Sequence, residues 1–179
     1  MPEEIEVPTE QLHETLAEHA EHNEGGPWIG KAALSAAVIA VAAAIASLLA
    51  GHHANEAMLE QMQATDKWAY YQAKGIKASL LESKIQLLAA MGKPAAAEEQ
   101  SHIAKYEQEQ HKIEDEGHEL ESSSRAHMER HTTLARAVTI FQIAIALAAI
   151  SVLVRRRSLW YGSMALGLGA AYFLIQGIR

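Results

Sequence analysis

Ten histidines occur in this chain of 179 residues, which has no cysteine, and imidazole can bind metals and titrate near neutral pH. His127 and His131 are four residues apart, a spacing at which two side chains on one helical face can share a metal ion. The zinc-protease pattern requires Glu directly after the first His, and Met128 occupies that position. We therefore predict no metal or cofactor, and expect His127 and His131 to form interhelical hydrogen bonds or to lie at a solvated edge.

The remaining residues give no catalytic pattern. The absence of cysteine excludes thiol chemistry, and there is no phosphate-binding glycine loop, serine nucleophile elbow or dinucleotide fingerprint. Nucleic-acid binding is disfavoured because acidic side chains outnumber basic ones in the two long polar segments, residues 1–27 and 52–136. His52 and His53 could sense pH or bind lipid phosphate, but a polar stop after an apolar segment is the preferred interpretation. The sequence predicts a protein that is not an enzyme.

Three long stretches of the chain carry no charged side chain, and they lie between residues 31 and 56, 136 and 155, and 157 and 179. A helix needs about 20 mostly apolar residues to cross a bilayer, because each residue advances about 1.5 Å and the backbone must satisfy its own hydrogen bonds. All three stretches meet this length. The predicted transmembrane helices are residues 28–51, 137–154 and 159–179.

The segment between the first two predicted spans has one strong helix breaker, Met91-Gly92-Lys93-Pro94, at its midpoint. We therefore predict that residues 52–136 form an antiparallel, coiled-coil-like helical hairpin with its turn at 91–94. Residues 1–27 form an acidic tail with eight Glu and a possible short amphipathic helix, and residues 155–158 form a short basic turn. The predicted fold is an all-α membrane protein with three transmembrane helices.

Each arm of the hairpin has a heptad pattern of steps of three and four. The stronger seam, in the second arm, runs from Ile103 through Ile113, Leu120, His127 and His131 to Phe141. The weaker seam, in the first arm, consists of Met62, Asp66, Ala69, Ala73, Ile76, Leu80, Ser83, Leu87 and Ala90. Both seams contain polar and small residues, so we expect further helices to pack on them, and homo-oligomerisation would supply those helices most simply.

Small and aromatic residues indicate additional packing faces. The first span has an alanine ridge at steps of four, the third span has small residues four apart, and an aromatic group in the first arm could form a second contact face. A glutamine in the second span could form an interhelical hydrogen bond. The predicted oligomer or packing residues are Ala36, Ala40, Ala44, Trp68, Tyr71, Ile113, Leu120, Gln142, Ser163 and Gly167.

Four runs of the sequence carry a family resemblance, and they are Glu4 to Thr9, Ala50 to Ala57, Trp68 to Lys77 and Arg136 to Ala146. They resemble a family of bacterial membrane proteins known as domain of unknown function 4337, and the similarity covers essentially the whole chain. The resemblance implies a location in the bacterial inner membrane. It implies no activity and no functional residues.

Positive charges near the spans bear on orientation. Arg155, Arg156 and Arg157 favour a cytoplasmic turn, with the N-terminus in the cytoplasm and the hairpin in the periplasm. Cations at the opposite ends of the spans argue the reverse and balance the count. We predict the periplasmic hairpin because residues 52–136 exceed the loop length over which the charge rule works well.

The sequence favours a non-enzymatic, self-associating membrane scaffold or interaction protein whose partners are the lipid bilayer, copies of itself and possibly another membrane protein. One alternative is an oligomeric channel, or an accessory subunit of a transport complex, with Gln142 or the alanine ridge lining a path. The other alternative is a metal or pH sensor that uses His127 and His131, or His52 and His53.

Overall fold

The computed structural model describes residues 28–94 and 97–179, and these residues form three α-helices. Helix α1 is Trp28–Ala90, α2 is Ala97–Leu153 and α3 is Arg157–Ile178. No strand occurs in the described ranges. The prediction of an all-α fold with three long helices is therefore confirmed. The acidic tail and its possible short helix lie outside the described residues.

The long helices follow from residues with strong helical propensity, mainly Ala, Leu, Glu, Gln and Lys, without an internal proline. Helix α1 ends at Ala90, and two residues later Gly92 adopts the left-handed conformation with φ of 69°. The N–H of Lys93 donates to the Leu88 carbonyl at 2.9 Å, and the N–H of Gly92 donates to the Ala89 carbonyl at 3.0 Å. These two bonds satisfy carbonyls that the helix end would leave open, so the reversal occurs where the breaker predicts it.

Helix α2 ends with the same pair of bonds, but an arginine occupies the left-handed position. Arg155 has φ of 53°, and the N–H groups of Arg155 and Arg156 donate to the carbonyls of Val152 and Ser151 at 3.2 and 3.0 Å. A side chain at such a position costs roughly 1–2 kcal/mol relative to glycine. Glycine would therefore adopt the conformation of Arg155 in the turn before α3 at a lower steric cost.

The described chain divides into two compact units. The first, which we call the apolar unit, comprises residues 28–53 and 129–179. The second, which we call the hairpin unit, comprises residues 54–94 and 97–128. Helices α1 and α2 contribute to both units without a break, whereas α3 belongs to the apolar unit alone.

The apolar unit has a core of small and aromatic side chains from all three helices. Phe141 and Ile145 of α2 pack with Ala46 of α1 and Ala170 of α3, and all four are buried. Large apolar residues, including Leu34, Leu48 and Leu168, are nevertheless mostly exposed on the outside of this unit. By length and composition, each of the three helices contains a segment apolar enough to cross a membrane.

Candidate functional site

The face of α1 that contacts α2 in the hairpin unit differs from the predicted first-arm seam. Among the less exposed residues of α1, one set repeats in steps of three and four, and it is Ala57, Glu60, Ala64, Lys67, Tyr71, Lys74, Ala78, Leu81, Ile85 and Leu88. From Glu60 onward, each lies two residues before or after a predicted position, so most of the predicted seam lies on the other side of the helix. The seam prediction for the first arm is therefore wrong. On α2, Ile113 is buried and Leu120 half-buried, and both belong to the face toward α1.

Lysine–glutamate pairs line the face that α1 presents to α2. Lys67 Nζ donates to Glu116 Oε2 at 2.5 Å, Lys74 forms an ion pair with Glu109, and Lys84 Nζ lies 2.5 Å from Glu99 Oε1. The steps along α1 are seven and ten residues, and the steps back along α2 are also seven and ten. This symmetry about the turn fixes a single antiparallel register. A face of Ile76 and Leu80 would bury more apolar area but would leave these lysines without their partners.

The Lys74–Glu109 pair is the best enclosed of the three. The Lys74 side chain is 12% exposed, and Nζ lies 5.2 and 5.1 Å from the ring centroids of Tyr70 and Tyr106. The hydrogen bond from Lys74 lowers the pKa of Glu109, and the same bond raises the pKa of Lys74. Both groups are thereby held in their charged forms across the neutral range.

Trp68 packs inside the hairpin unit. Its indole N–H donates to Glu121 Oε1 at 2.8 Å, and its ring meets His118 edge-on at 5.0 Å between centroids. Gly117 lies beside the indole, and a β-carbon there would be in van der Waals contact with Trp68 Cε2 at 3.4 Å. Tyr71 stands beside Trp68, with centroids 5.7 Å apart. Trp68 and Tyr71 were predicted as oligomer or packing residues, and both are half-buried in the hairpin unit.

The two histidines considered as metal ligands each have a protein neighbour. In the hairpin unit, His127 Nε2 lies 4.0 Å from Glu60 Oε1, which also accepts a 2.7 Å hydrogen bond from Ser123. In the apolar unit, His131 Nδ1 lies 2.9 Å from the Ala50 carbonyl oxygen, which fits a donating Nδ1–H. Residues 28–94 and 97–179 contain no group of three or more potential ligands placed to hold a metal ion.

The packing residues predicted in the spans fall on different sides of their helices. Ala36 is buried and Ala40 half-buried, but Ala44 is exposed, because steps of four drift around a helix of 3.6 residues per turn. The buried positions of α1 in the apolar unit instead alternate four and three, and they are Ala32, Ala36, Ile39, Ala43, Ala46 and Ala50.

Ser163 and Gly167 of α3 are buried within the apolar unit. Ser163 Oγ donates to the Ala144 carbonyl at 2.7 Å, and a β-carbon at Gly167 would lie 3.1 Å from Ile39 Cδ1. These two small residues therefore let α3 approach α2 and α1 of the same chain. Gln142 is half-buried.

Comparison with known proteins gives one match. The family model described as domain of unknown function (DUF4337) matches residues 28–179. The chain belongs to the DUF4337 family. The match begins at the first residue of α1 and covers all three helices of this DUF4337 domain, which confirms the resemblance seen in the sequence. No curated protein and no solved structure matches the chain.

The face of α1 directed away from α2 is the main exposed apolar feature of the DUF4337 hairpin unit. We call it the outer stripe, and it consists of Met62, Ala69, Ala73, Ile76, Leu80 and Leu87. Its four large side chains, Met62, Ile76, Leu80 and Leu87, are 61%, 69%, 71% and 63% exposed. Two surface grooves, of about 650 and 800 Å³, are lined by Leu80 and Ser83 together with α2 residues such as Gln110 and Tyr106. Apart from Asp66, no charged residue lies along the stripe itself.

Proposed function

We propose that this protein is a non-enzymatic membrane scaffold that associates with copies of itself through the outer stripe of α1. The observation that carries the proposal is the heptad spacing of exposed apolar residues on a helix face that no other part of the hairpin unit covers. Membrane insertion concerns the apolar unit, and self-association concerns the hairpin unit.

Membrane insertion is supported by the outward surface of the apolar unit. Leu34, Val38, Val41 and Leu48 of α1 are between 62% and 75% exposed, and Leu168 and Tyr172 of α3 are 71% and 59% exposed. Soluble monomers rarely leave such large contiguous apolar surfaces in water. In hydrocarbon these side chains would be solvated, and intrahelical hydrogen bonds would satisfy the backbone groups in the interior of each span. The apolar unit therefore fits a bilayer better than water.

Orientation is proposed from the charges of the apolar unit. Lys31 and the three arginines of residues 155–157 lie near the span ends on one side, and five cations lie near the span ends on the other, namely Lys67, Arg125, Arg130, Arg136 and Arg179. The short arginine turn is given the greater weight, because residues 52–136 exceed the loop length over which the charge rule works well. We infer a cytoplasmic N-terminus, a periplasmic hairpin and a bacterial inner-membrane location. A membrane-impermeant thiol reagent should label Lys93→Cys, in the hairpin turn, in intact cells, and labelling only after lysis would reverse the orientation.

Self-association is supported by the size of the outer stripe. A Leu, Ile or Met side chain contributes about 1.5–3 kcal/mol when it is fully buried. Copies inserted in one membrane share a direction, so two outer stripes would meet as a parallel, twofold-symmetric coiled coil. Asp66 shares a heptad position with Leu80 and Leu87 and would then face its own copy, which costs several kcal/mol if the two carboxylates lose their contact with water. Burial of Ile76, Leu80 and Leu87 outweighs that cost.

Disulfide cross-linking of single-cysteine variants in membranes tests the proposal, because the natural chain has no cysteine. Ile76→Cys and Leu80→Cys should give covalent dimers on mild oxidation. Glu82→Cys is the matched control, since residue 82 is exposed on the same helix and lies about 160° around the helix from Leu80. Equal cross-linking at all three positions would indicate random collision. Absence of dimers at residues 76 and 80 would refute association through this face.

A further inference from the structure

The turn between α2 and α3 concentrates positive charge that the apolar unit does not neutralise. Arg155, Arg156 and Arg157 are consecutive and exposed. Residues 28–53 and 129–179 contain seven Lys and Arg side chains but one acidic side chain, Glu129. No ion pair between described residues involves any of the three arginines. The hairpin unit differs, because there Lys67, Lys74 and Lys84 each pair with a glutamate.

Aromatic side chains surround this turn. The Arg157 guanidinium carbon lies 5.8 Å from the centroid of the Trp28 ring, so the charge sits against an indole. Trp160 Nε1 donates to Ser35 Oγ at 3.0 Å, and Tyr161 lies beside Trp160 with centroids 5.1 Å apart. Trp and Tyr rings prefer the headgroup layer of a bilayer, where one side of the ring is apolar and the other is wet. The three guanidinium groups therefore occupy the depth at which lipid phosphates are found.

The backbone of the turn gives independent support. Arg155 adopts a left-handed conformation with φ of 53°, which glycine would adopt without steric cost. An arginine at this position adds a third guanidinium to the turn despite that cost. A side chain with a binding role would account for it, because the backbone geometry alone would be served better by glycine.

We infer that the arginine turn, residues 155–157, binds the phosphate of anionic phospholipid headgroups. Guanidinium groups match phosphate oxygens in geometry as well as charge. A lipid is the expected source of the phosphate because Leu153 and Val154, just before the turn, are exposed apolar side chains suited to acyl chains. The inference rests on the membrane location proposed above.

Tryptophan fluorescence of the full chain in lipid vesicles tests this inference. Trp28 and Trp160 report on the turn once the remaining tryptophan is removed by Trp68→Phe. Vesicles of phosphatidylcholine and phosphatidylglycerol are prepared with bromine, a quencher, on either one lipid or the other. The quenching of Trp28 and Trp160 should show that phosphatidylglycerol associates with the turn about fivefold more strongly than phosphatidylcholine does. This ratio corresponds to roughly one favourable contact between an arginine and an anionic headgroup. The triple variant R155Q/R156Q/R157Q should reduce the ratio of phosphatidylglycerol association to phosphatidylcholine association to about one.

The control R125Q/R130Q/R136Q removes the same charge from the other side of the predicted span and should keep the preference. Equal quenching by both lipids in the unsubstituted turn would refute the lipid site while leaving membrane insertion intact. Absence of quenching by either lipid would instead refute the membrane location. If inorganic phosphate reduces the phosphatidylglycerol preference more than chloride does at equal ionic strength, the turn binds a soluble phosphate and the lipid site is refuted. A preference that emerges only after deletion of residues 1–27 would show that the eight tail glutamates occupy the turn, which would also overturn the inference.

Discussion

Gly177 approaches Leu134 so closely that a β-carbon on the glycine would lie 2.6 Å from Leu134 Cγ. Leu134 is completely buried, so its side chain has little space into which to move. Gly177→Ala should therefore destabilise the apolar unit. Overpacking costs about 1–3 kcal/mol, which exceeds the gain of up to about 1 kcal/mol that alanine brings to a helix. The measurement is thermal unfolding of the full chain in detergent, followed by helical ellipticity.

Gly169 provides the matched control, because it lies on the same helix and a β-carbon there would meet nothing within 4 Å. Gly169→Ala should leave stability unchanged or raise it by up to about 1 kcal/mol. If both variants unfold at the same temperature, the close approach of α3 to α2 at Leu134 is contradicted.

The Lys74–Glu109 pair should stabilise the hairpin unit more than an exposed lysine does. Lys74→Met removes the hydrogen bond to a carboxylate whose Oε2 atom is buried without another partner. Lys77→Met, three residues further along α1, removes an exposed lysine and is the control. We expect Lys74→Met to unfold at a lower temperature than the natural chain. Lys77→Met should unfold at the same temperature as the natural chain. The reverse order would show that the pair does not hold the register.

Acid should weaken the hairpin unit through two glutamates. The pKa of Glu109 is lowered by its hydrogen bond from Lys74, and the pKa of Glu116 is lowered by its hydrogen bond from Lys67. A lowered pKa in the folded state gives stability that is complete above the ordinary value near 4.5 and is lost as pH falls through the folded pKa. Unfolding temperatures measured from pH 7 to pH 3 should therefore fall below about pH 4.5.

Glu109→Gln with Glu116→Gln should flatten this acid dependence, because amides do not titrate. At high pH the dependence of stability on pH has the opposite sign, because stability falls as the pH rises. The raised pKa of Lys74 gives stability that is complete below its ordinary value of 10.5 and is lost above the folded pKa. An unchanged acid profile in the double variant would assign the loss of stability to other carboxylates.

Arg155→Gly should stabilise the apolar unit. The left-handed φ of 53° costs a residue with a β-carbon roughly 1–2 kcal/mol, and glycine avoids that cost while losing some conformational freedom in the unfolded chain. We expect a net gain of up to about 1 kcal/mol in detergent. Arg156→Gly is the control, because Arg156 has an ordinary extended conformation with φ of −109°, and there glycine should bring no gain. Equal effects of the two substitutions would show that the conformation of Arg155 is not strained.

The three helices and the hairpin turn could be predicted from the sequence because each depends on local information. Charge-free stretches, high helical propensity and Gly92 before Pro94 are visible without any tertiary contact. The family membership was also recognisable, and three of the four runs that carry the resemblance lie in α1 and α2. The face of α2 toward α1 was found because Ile113 and Leu120 repeat at heptad spacing with few competing apolar positions.

The face of α1 could not be found from hydrophobicity, because its largest apolar residues, Ile76 and Leu80, lie on the exposed side. A different signal was available in the charges. Lys67 and Lys74 are seven residues apart, as are Glu109 and Glu116, and the two pairs are placed symmetrically about the turn. Each paired lysine of α1 lies as many residues before the Met91-Gly92 turn as its glutamate partner of α2 lies after it. A search for this matching spacing would have predicted the face and register that the structure shows. The alanine ridge follows the buried face of α1 only in part, because steps of four drift around the helix and leave that face by Ala44.

The mass of the full chain in lipid nanodiscs tests the central claim, self-association through the outer stripe, most directly. The protein should contain two or more copies per disc, and the variant Ile76→Asn with Leu80→Asn should shift this to one copy, because each asparagine removes apolar area and adds an amide to bury. Met128→Asn, at an exposed apolar position of α2, should leave the copy number unchanged. One copy per disc for the natural chain, or unchanged copy number in the double variant, would contradict the claim.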